Sequence, residues 1–193
     1  TIGEWRAVPE HFFAVCTNGE VFADTPGQFT EFRNALLAFY PEDLRLKKIA
    51  ARCMNMAQTG QYNLLRSLRR GETVAAMLAA ARFTEQALSM TYLLNRRYMP
   101  FYKWAWRGVG KLPVLGALTQ HQLALLAGLN FAEGPGLEAR ASEVVETLCA
   151  TVARVLREEG LSDAKGAWLL EHGPSVQARI KTPELRAMPV MAE

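Results

Sequence analysis

The sequence predicts an all-α protein: a helical bundle of five to seven helices around one long central helix at about residues 72–98, with at most a small β-hairpin near residues 14–23. Three observations carry that expectation. Apolar residues recur at three- and four-residue spacing along most of the chain, which is the period of a helix face. Proline and glycine fall at the ends of those stretches, where helices start and stop. Extended-strand character is confined to a short piece beside the Asn18-Gly19 turn signal.

Taken in order, Pro9 opens a short apolar piece reaching Val15, and Glu20 to Ala23 reads as a brief extended segment. Thr25-Pro26-Gly27 leads into a helix bearing Phe29, Phe32, Leu36, Leu37 and Phe39, which stops before Pro41 because a residue preceding proline is pushed out of the α region. Pro41 suits the first turn of the next helix, and Glu42 and Asp43 complement the positive end of its dipole. That helix is expected to reach Thr59, with Gly60 breaking or bending it before Tyr62 to Arg70, and Gly71 closing the piece.

The pattern from 72 to 98 is the longest. Ala76, Ala80, Phe83, Ala87, Met90 and Leu94 form one stripe, and Val74, Leu78, Ala81, Leu88 and Tyr92 form a second on the other side, so this helix is expected to be packed on both. Pro100 is expected to end it. A short aromatic helix from Phe101 to Val109 follows, then Leu115 to Phe131, a Gly-Pro-Gly linker at 134–136, and a helix from Leu137 to Glu159. The last has a single stripe, Ala141, Val145, Leu148, Val152 and Val155, and should lie at the periphery. In domain terms, residues 1–24 read as an N-terminal connecting segment, 25–160 as the bundle, and 161–193 as a C-terminal helix and irregular tail packing on it.

Composition narrows the functional classes. With 193 residues, half of them hydrophobic, the chain has material for one sizeable core. A net charge of +3, from 22 basic and 19 acidic residues, does not by itself point to nucleic acid. Cys16, Cys53 and Cys149 are odd in number and far apart in sequence, which fits a reducing cytoplasm better than a disulfide framework. No apolar run approaches the roughly 20 residues of a membrane span.

One stretch stands out. Residues 92–107 gather Tyr98, Phe101, Tyr102, Trp104 and Trp106 with Arg96, Arg97, Lys103 and Arg107 around Pro100. Rings beside guanidinium groups suit a site for a flat anionic ligand. The competing reading has the rings capping the bundle and the cations solvated. Glu85 interrupts the second stripe of the central helix, where a carboxylate is costly unless paired. It reads either as an ion pair with Arg82 or as a general base. Arg45, Lys48 and Arg52 align at i, i+3 and i+7, and Arg66, Arg69 and Arg70 end a helix; both groups read as solvated faces or as a phosphate surface.

Several catalytic arrangements are excluded. Asp24, Asp43 and Asp163 form no Asp-x-Asp pair, so a two-metal phosphoryl-transfer centre lacks its ligands, and His11, His121 and His172 share no metal-ligand spacing. There is no Gly-rich phosphate loop and no nucleophile elbow. The Arg-x4-His match at Arg6 and His11 encloses Pro9 and reads as chance.

Further residues carry a likeness. Thr17, Gly19-Glu20-Val21-Phe22 and Asp24, then Tyr40-Pro41 with Asp43, Ala80-Ala81-Arg82, and above all Arg96-Arg97-Tyr98 with Pro100 and Tyr102-Lys103-Trp104 resemble the domain of unknown function 4037 family across about residues 15–125. The resemblance implies a helical domain similar to the C-terminal halves of nucleotidyltransferase-like proteins, antibiotic nucleotidyltransferases among them. By that implication the chain is the C-terminal portion of a longer protein and is not catalytic alone. Its partner is an N-terminal nucleotidyltransferase-like domain that supplies the aspartate pair and uses a nucleoside triphosphate and Mg; no cofactor or metal belongs to this chain. Arg82, Arg96, Arg97 and Lys103 would contact phosphate or an anionic acceptor, Tyr98, Tyr102 and Trp104 would stack on the ligand, and Glu85 would orient or deprotonate an acceptor hydroxyl. A homodimer is compatible with this reading. The alternative is a non-catalytic interaction module that binds nucleic acid or a protein partner through the aromatic-basic surface.

Overall fold

Helices make up the regular structure among the described residues: α1 (Ile2–Ala7), α2 (Glu10–Thr17), α3 (Gln28–Leu37), α4 (Glu42–Met56), a π-helical segment (Ala57–Leu64), α5 (Leu65–Arg69), α6 (Thr73–Leu94), α7 (Tyr102–Val109), α8 (Gly116–Ala127), α9 (Leu137–Glu158), α10 (Leu169–Gln177) and α11 (Pro183–Ala187). The structure, a computed structural model, describes residues 1–132, 134 and 136–193. Pro135 of the expected Gly-Pro-Gly linker lies outside the described residues. The piece expected to form a hairpin is helical as far as Thr17, and residues 20–24 run on without a partner strand.

α6 is the centre of the bundle, with α4, the π-helical segment and α5 on one side and α7 and α8 on another. Its first stripe, from Ala76 to Leu94, is buried throughout. The second stripe is a correction. Leu88 and Tyr92 are buried, but Val74 and Leu78 are 72% and 57% exposed, because nothing among the described residues covers the N-terminal half of that face. Apolar spacing records which residues share a face; it does not guarantee a neighbour for that face.

Two boundaries also differ from expectation. α6 ends at Leu94 rather than near 98, and Pro100 is not what stops it. Arg96 takes the left-handed conformation at φ +51, its N–H bonds the Leu93 carbonyl, and the Arg97 N–H reaches the Tyr92 carbonyl at 3.0 Å. This is a Schellman close built on a non-glycine residue. Arg45, expected on a solvated or phosphate-binding face, is buried and donates from Nε to the same Leu93 carbonyl at 3.0 Å, adding a side-chain bond at this helix end.

Gly60 does not break its helix. The chain widens into a π segment there, and the glycine lies against the fully buried Phe83 ring, where an added Cβ would stand 2.3 Å from a ring carbon. The widening brings Gln61 into the core, where its amide accepts from the Leu169 N–H at 3.0 Å and donates to Glu146 at 2.8 Å, tying the start of α10 to α9.

The two ends of the chain pack onto this frame. Trp5 and Phe13, from α1 and α2, join Phe39, Tyr40 and Tyr98 in an aromatic cluster with ring centroids 4.8–6.4 Å apart. α10 lies along α4. Beyond it Asp43 accepts from the Thr182 N–H at 2.7 Å and the Lys181 N–H at 3.1 Å, which fixes the start of α11. Lys47 is fully buried and gives its three donors to Gln177 and the carbonyls of Pro189 and Val190.

A candidate acceptor groove between α2, α6 and α7

Asn95 fixes the approach to the site. Its side chain donates to the carbonyls of Thr91 at 2.7 Å and Val114 at 2.8 Å and accepts the Val114 N–H at 2.9 Å, binding the turn after α7 to the end of α6. Tyr92 pins α7 itself. Its buried hydroxyl donates to the Ala105 carbonyl at 3.0 Å, and burial pushes its pKa up to about 12. The hydroxyl stands so near α7 that a Cβ at Gly108 would sit 2.3 Å from it, which explains the glycine there.

These ties leave a groove of about 650 Å³ between α2, α6 and the loop running into α7. α6 supplies Ala81, Thr84, Glu85 and Leu88 along one wall; Met99, Pro100, Phe101, Tyr102 and Trp106 form the other, and Glu10 and His11 close one side. The walls are mainly hydrocarbon and ring. His11 meets the Phe101 ring edge-on at 5.5 Å, and Phe101 lies 4.5 Å from Tyr102. Glu10 accepts the Met99 N–H at 3.0 Å. Burial pushes its carboxyl above the ordinary 4.5, against the opposing pull of that hydrogen bond and of the Lys48 and Arg52 charges.

The 92–107 run divides between groove, surface and core. Tyr102 lines the groove, with Phe101 and Trp106 beside it. Trp104 is exposed, with the Arg107 guanidinium 5.2 Å above its ring. Arg96 pairs with Glu42 at 2.8 Å, while Arg97 and Lys103 are exposed and outside the groove lining. Tyr98 is buried: its hydroxyl donates to the Leu36 carbonyl at 2.7 Å and its ring belongs to the aromatic cluster. The Schellman turn at Arg96 is the cause, because it reverses the chain and swings consecutive residues to opposite sides.

On α6, Glu85 is exposed and stands on the groove wall, rather than being the buried ion pair that an interruption of a packed stripe implied. Arg82 is exposed and does not line the groove. The ionisable side chains that do line it are therefore the carboxyl groups of Glu10 and Glu85 and the imidazole of His11. Sequence reasoning did not find Glu10 and His11, since the bond joining Glu10 to Met99 spans 89 residues. The local signals were the position of Glu10 in the first turn of a helix opened by Pro9 and the Arg-x4-His match ending at His11, which read as chance.

The family model described as Domain of unknown function (DUF4037) matches residues 5–105. The chain belongs to this family. The match starts earlier than the likeness visible from residue 15 and takes in α2, α6 and the start of α7, hence all of the groove lining except Trp106. No curated protein and no solved structure matches this DUF4037 chain. Among the described residues no helix is long and apolar enough to cross a membrane.

Proposed function

We propose that this DUF4037 chain is the acceptor-binding helical domain of a nucleotidyltransferase-like protein and is not catalytic alone. The observation that carries the reading is Glu85, an exposed carboxylate on the wall of a groove flanked by Phe101, Tyr102 and Trp106. An acceptor with a flat or apolar body would lie against the rings, and a hydroxyl directed at Glu85 would give up its proton there as it becomes a nucleophile. Because the lining, among the described residues, carries two carboxyl groups and no lysine or arginine, the groove suits an uncharged or amine-bearing acceptor better than a phosphate group. That favours the acceptor side over nucleotide covering.

The nucleoside triphosphate and its Mg²⁺ belong, in this reading, to an N-terminal domain. Among the described residues no three His, Cys, Asp or Glu side chains gather in a way that would hold a metal ion. The uncovered face of α6 at Val74, Met77 and Leu78 continues the groove wall and offers such a domain an apolar contact. The same face favours a second reading, a module that docks a protein partner without chemistry.

Binding separates the two. Saturable nucleoside triphosphate binding that appears only when the upstream segment is joined to this chain supports the transferase domain, with loss of group transfer in Glu85→Gln. Partner binding that persists in Glu85→Gln but disappears in Leu78→Asp, with no triphosphate bound in any form, supports the docking module.

A further inference from the structure

Away from the groove, Lys48 and Arg52 stand one turn apart on α4 with side chains 14% and 11% exposed, and both point at the Glu193 carboxylate. Arg52 pairs with Glu193 Oε1 and also donates from Nε to Ser89 Oγ at 2.7 Å; Lys48 Nζ is 3.4 Å from Glu193 Oε2. Lys48 also lies 5.2 Å from the centre of the Tyr40 ring. The Tyr40 hydroxyl is buried and has no hydrogen-bond partner among the described residues, although it sits in the field of Glu10, Arg52 and Glu193. A buried donor without an acceptor is rare in a folded protein and calls for a reason.

Two cations converge on the single side-chain carboxylate of Glu193, and the Tyr40 hydroxyl beside them is left without an acceptor among the described residues. A dianion would match Lys48 and Arg52 better than Glu193 does, and a tetrahedral one has an oxygen to spare for the Tyr40 hydroxyl. We propose that Lys48, Arg52 and Tyr40 form an exchangeable phosphate site, which the Glu193 carboxylate fills as a tethered stand-in. The ligand class is a phosphate dianion, free or carried as a monoester.

Exchange requires little movement. Lys47 holds the carbonyls of Pro189 and Val190, and Gln177 holds that of Met188, so the tail stays anchored as far as Val190. Met191 is exposed, and the segment beyond Val190 is the part that swings away. Phosphate binding and release of the segment carrying Glu193 are then one event.

Calorimetric titration with inorganic phosphate and with methyl phosphate, at constant ionic strength, tests this. Glu193→Ala should bind phosphate at least about tenfold more tightly than the unaltered chain, and adding Arg52→Met or Lys48→Met should each remove that gain. Two substitutions are used because either alone can perturb α4. In the unaltered chain, phosphate should speed exchange of the Ala192 amide, which otherwise donates to the Pro189 carbonyl at 2.9 Å. Stronger binding of methyl phosphate than of inorganic phosphate assigns the site to monoesters, and the reverse order to the free ion. Equal phosphate affinity in Glu193→Ala and the unaltered chain overturns the proposal, as does undiminished binding after both α4 cations are replaced.

Discussion

The Glu10 carboxylate accepts the Met99 N–H at 3.0 Å, and this bond holds the loop that presents Phe101 and Tyr102 to the groove. Burial pushes that carboxyl above the ordinary 4.5, so the folded chain holds its proton more tightly than the unfolded chain does. The resulting stability is complete below about pH 4.5 and is lost as pH rises through the raised value. Glu10→Gln keeps an acceptor for Met99 and removes the buried charge. Its melting temperature at pH 7 should exceed that of the unaltered chain, with the difference vanishing near pH 4; a lower melting temperature at pH 7 contradicts this assignment.

Tyr98 carries a different expectation, because its hydroxyl serves the Leu36 carbonyl at 2.7 Å inside the aromatic cluster. Tyr98→Phe should cost about 0.5–1.5 kcal/mol in denaturant unfolding, the usual net worth of one hydrogen bond, and leave groove binding unchanged. Loss of ligand affinity without loss of stability would return Tyr98 to the ligand set.

Gly60→Ala places a methyl group 2.3 Å from the Phe83 ring. Overpacking of this kind typically costs about 1–3 kcal/mol. Phe83→Leu alone removes buried ring surface, yet in combination it relieves the clash, so the double variant should be more stable than the two single losses added together. Strict additivity in urea denaturation would mean that the close approach does not constrain the segment.

Regular spacing made the bundle readable: the stripe from Ala76 to Leu94, the single face of α9 and the proline-led start of α4 all lie in local sequence. What local sequence hides is long-range closure. The left-handed turn at Arg96 has no glycine to announce it, and Gly60 resembles a helix breaker when its purpose is contact with Phe83. The site was legible only as a region, since the turn decides that Tyr98 goes inward and Tyr102 goes to the groove. Glu10 and His11 reach it from α2, and no periodicity within residues 92–107 encodes them.

Asp43 reverses the pH behaviour of Glu10. Burial by itself favours its protonated form, but the bonds from Thr182 and Lys181 outweigh that and hold its carboxyl below the ordinary 3.8. This stability is present above pH 3.8 and is lost as pH falls through the lowered value. Asp43→Ala should cost about 1–2 kcal/mol, comparable to losing a helix cap, and should expose the 181–187 amides to hydrogen exchange. Unchanged exchange protection there would show that α11 is held by its packing alone.

The groove itself is tested most directly by titrating the chain with tyramine, whose ring and ammonium match Tyr102, Trp106 and Glu85, and following backbone and indole resonances by NMR. The account predicts saturable shifts centred on residues 84–88 and 99–106, with affinity reduced about tenfold, or 1.4 kcal/mol, in Glu85→Gln and in Tyr102→Ala. The stability of both variants should stay within about 0.5 kcal/mol of the unaltered chain. Shifts confined to other surfaces, or binding that survives both substitutions undiminished, would contradict the proposal that this groove takes an acceptor.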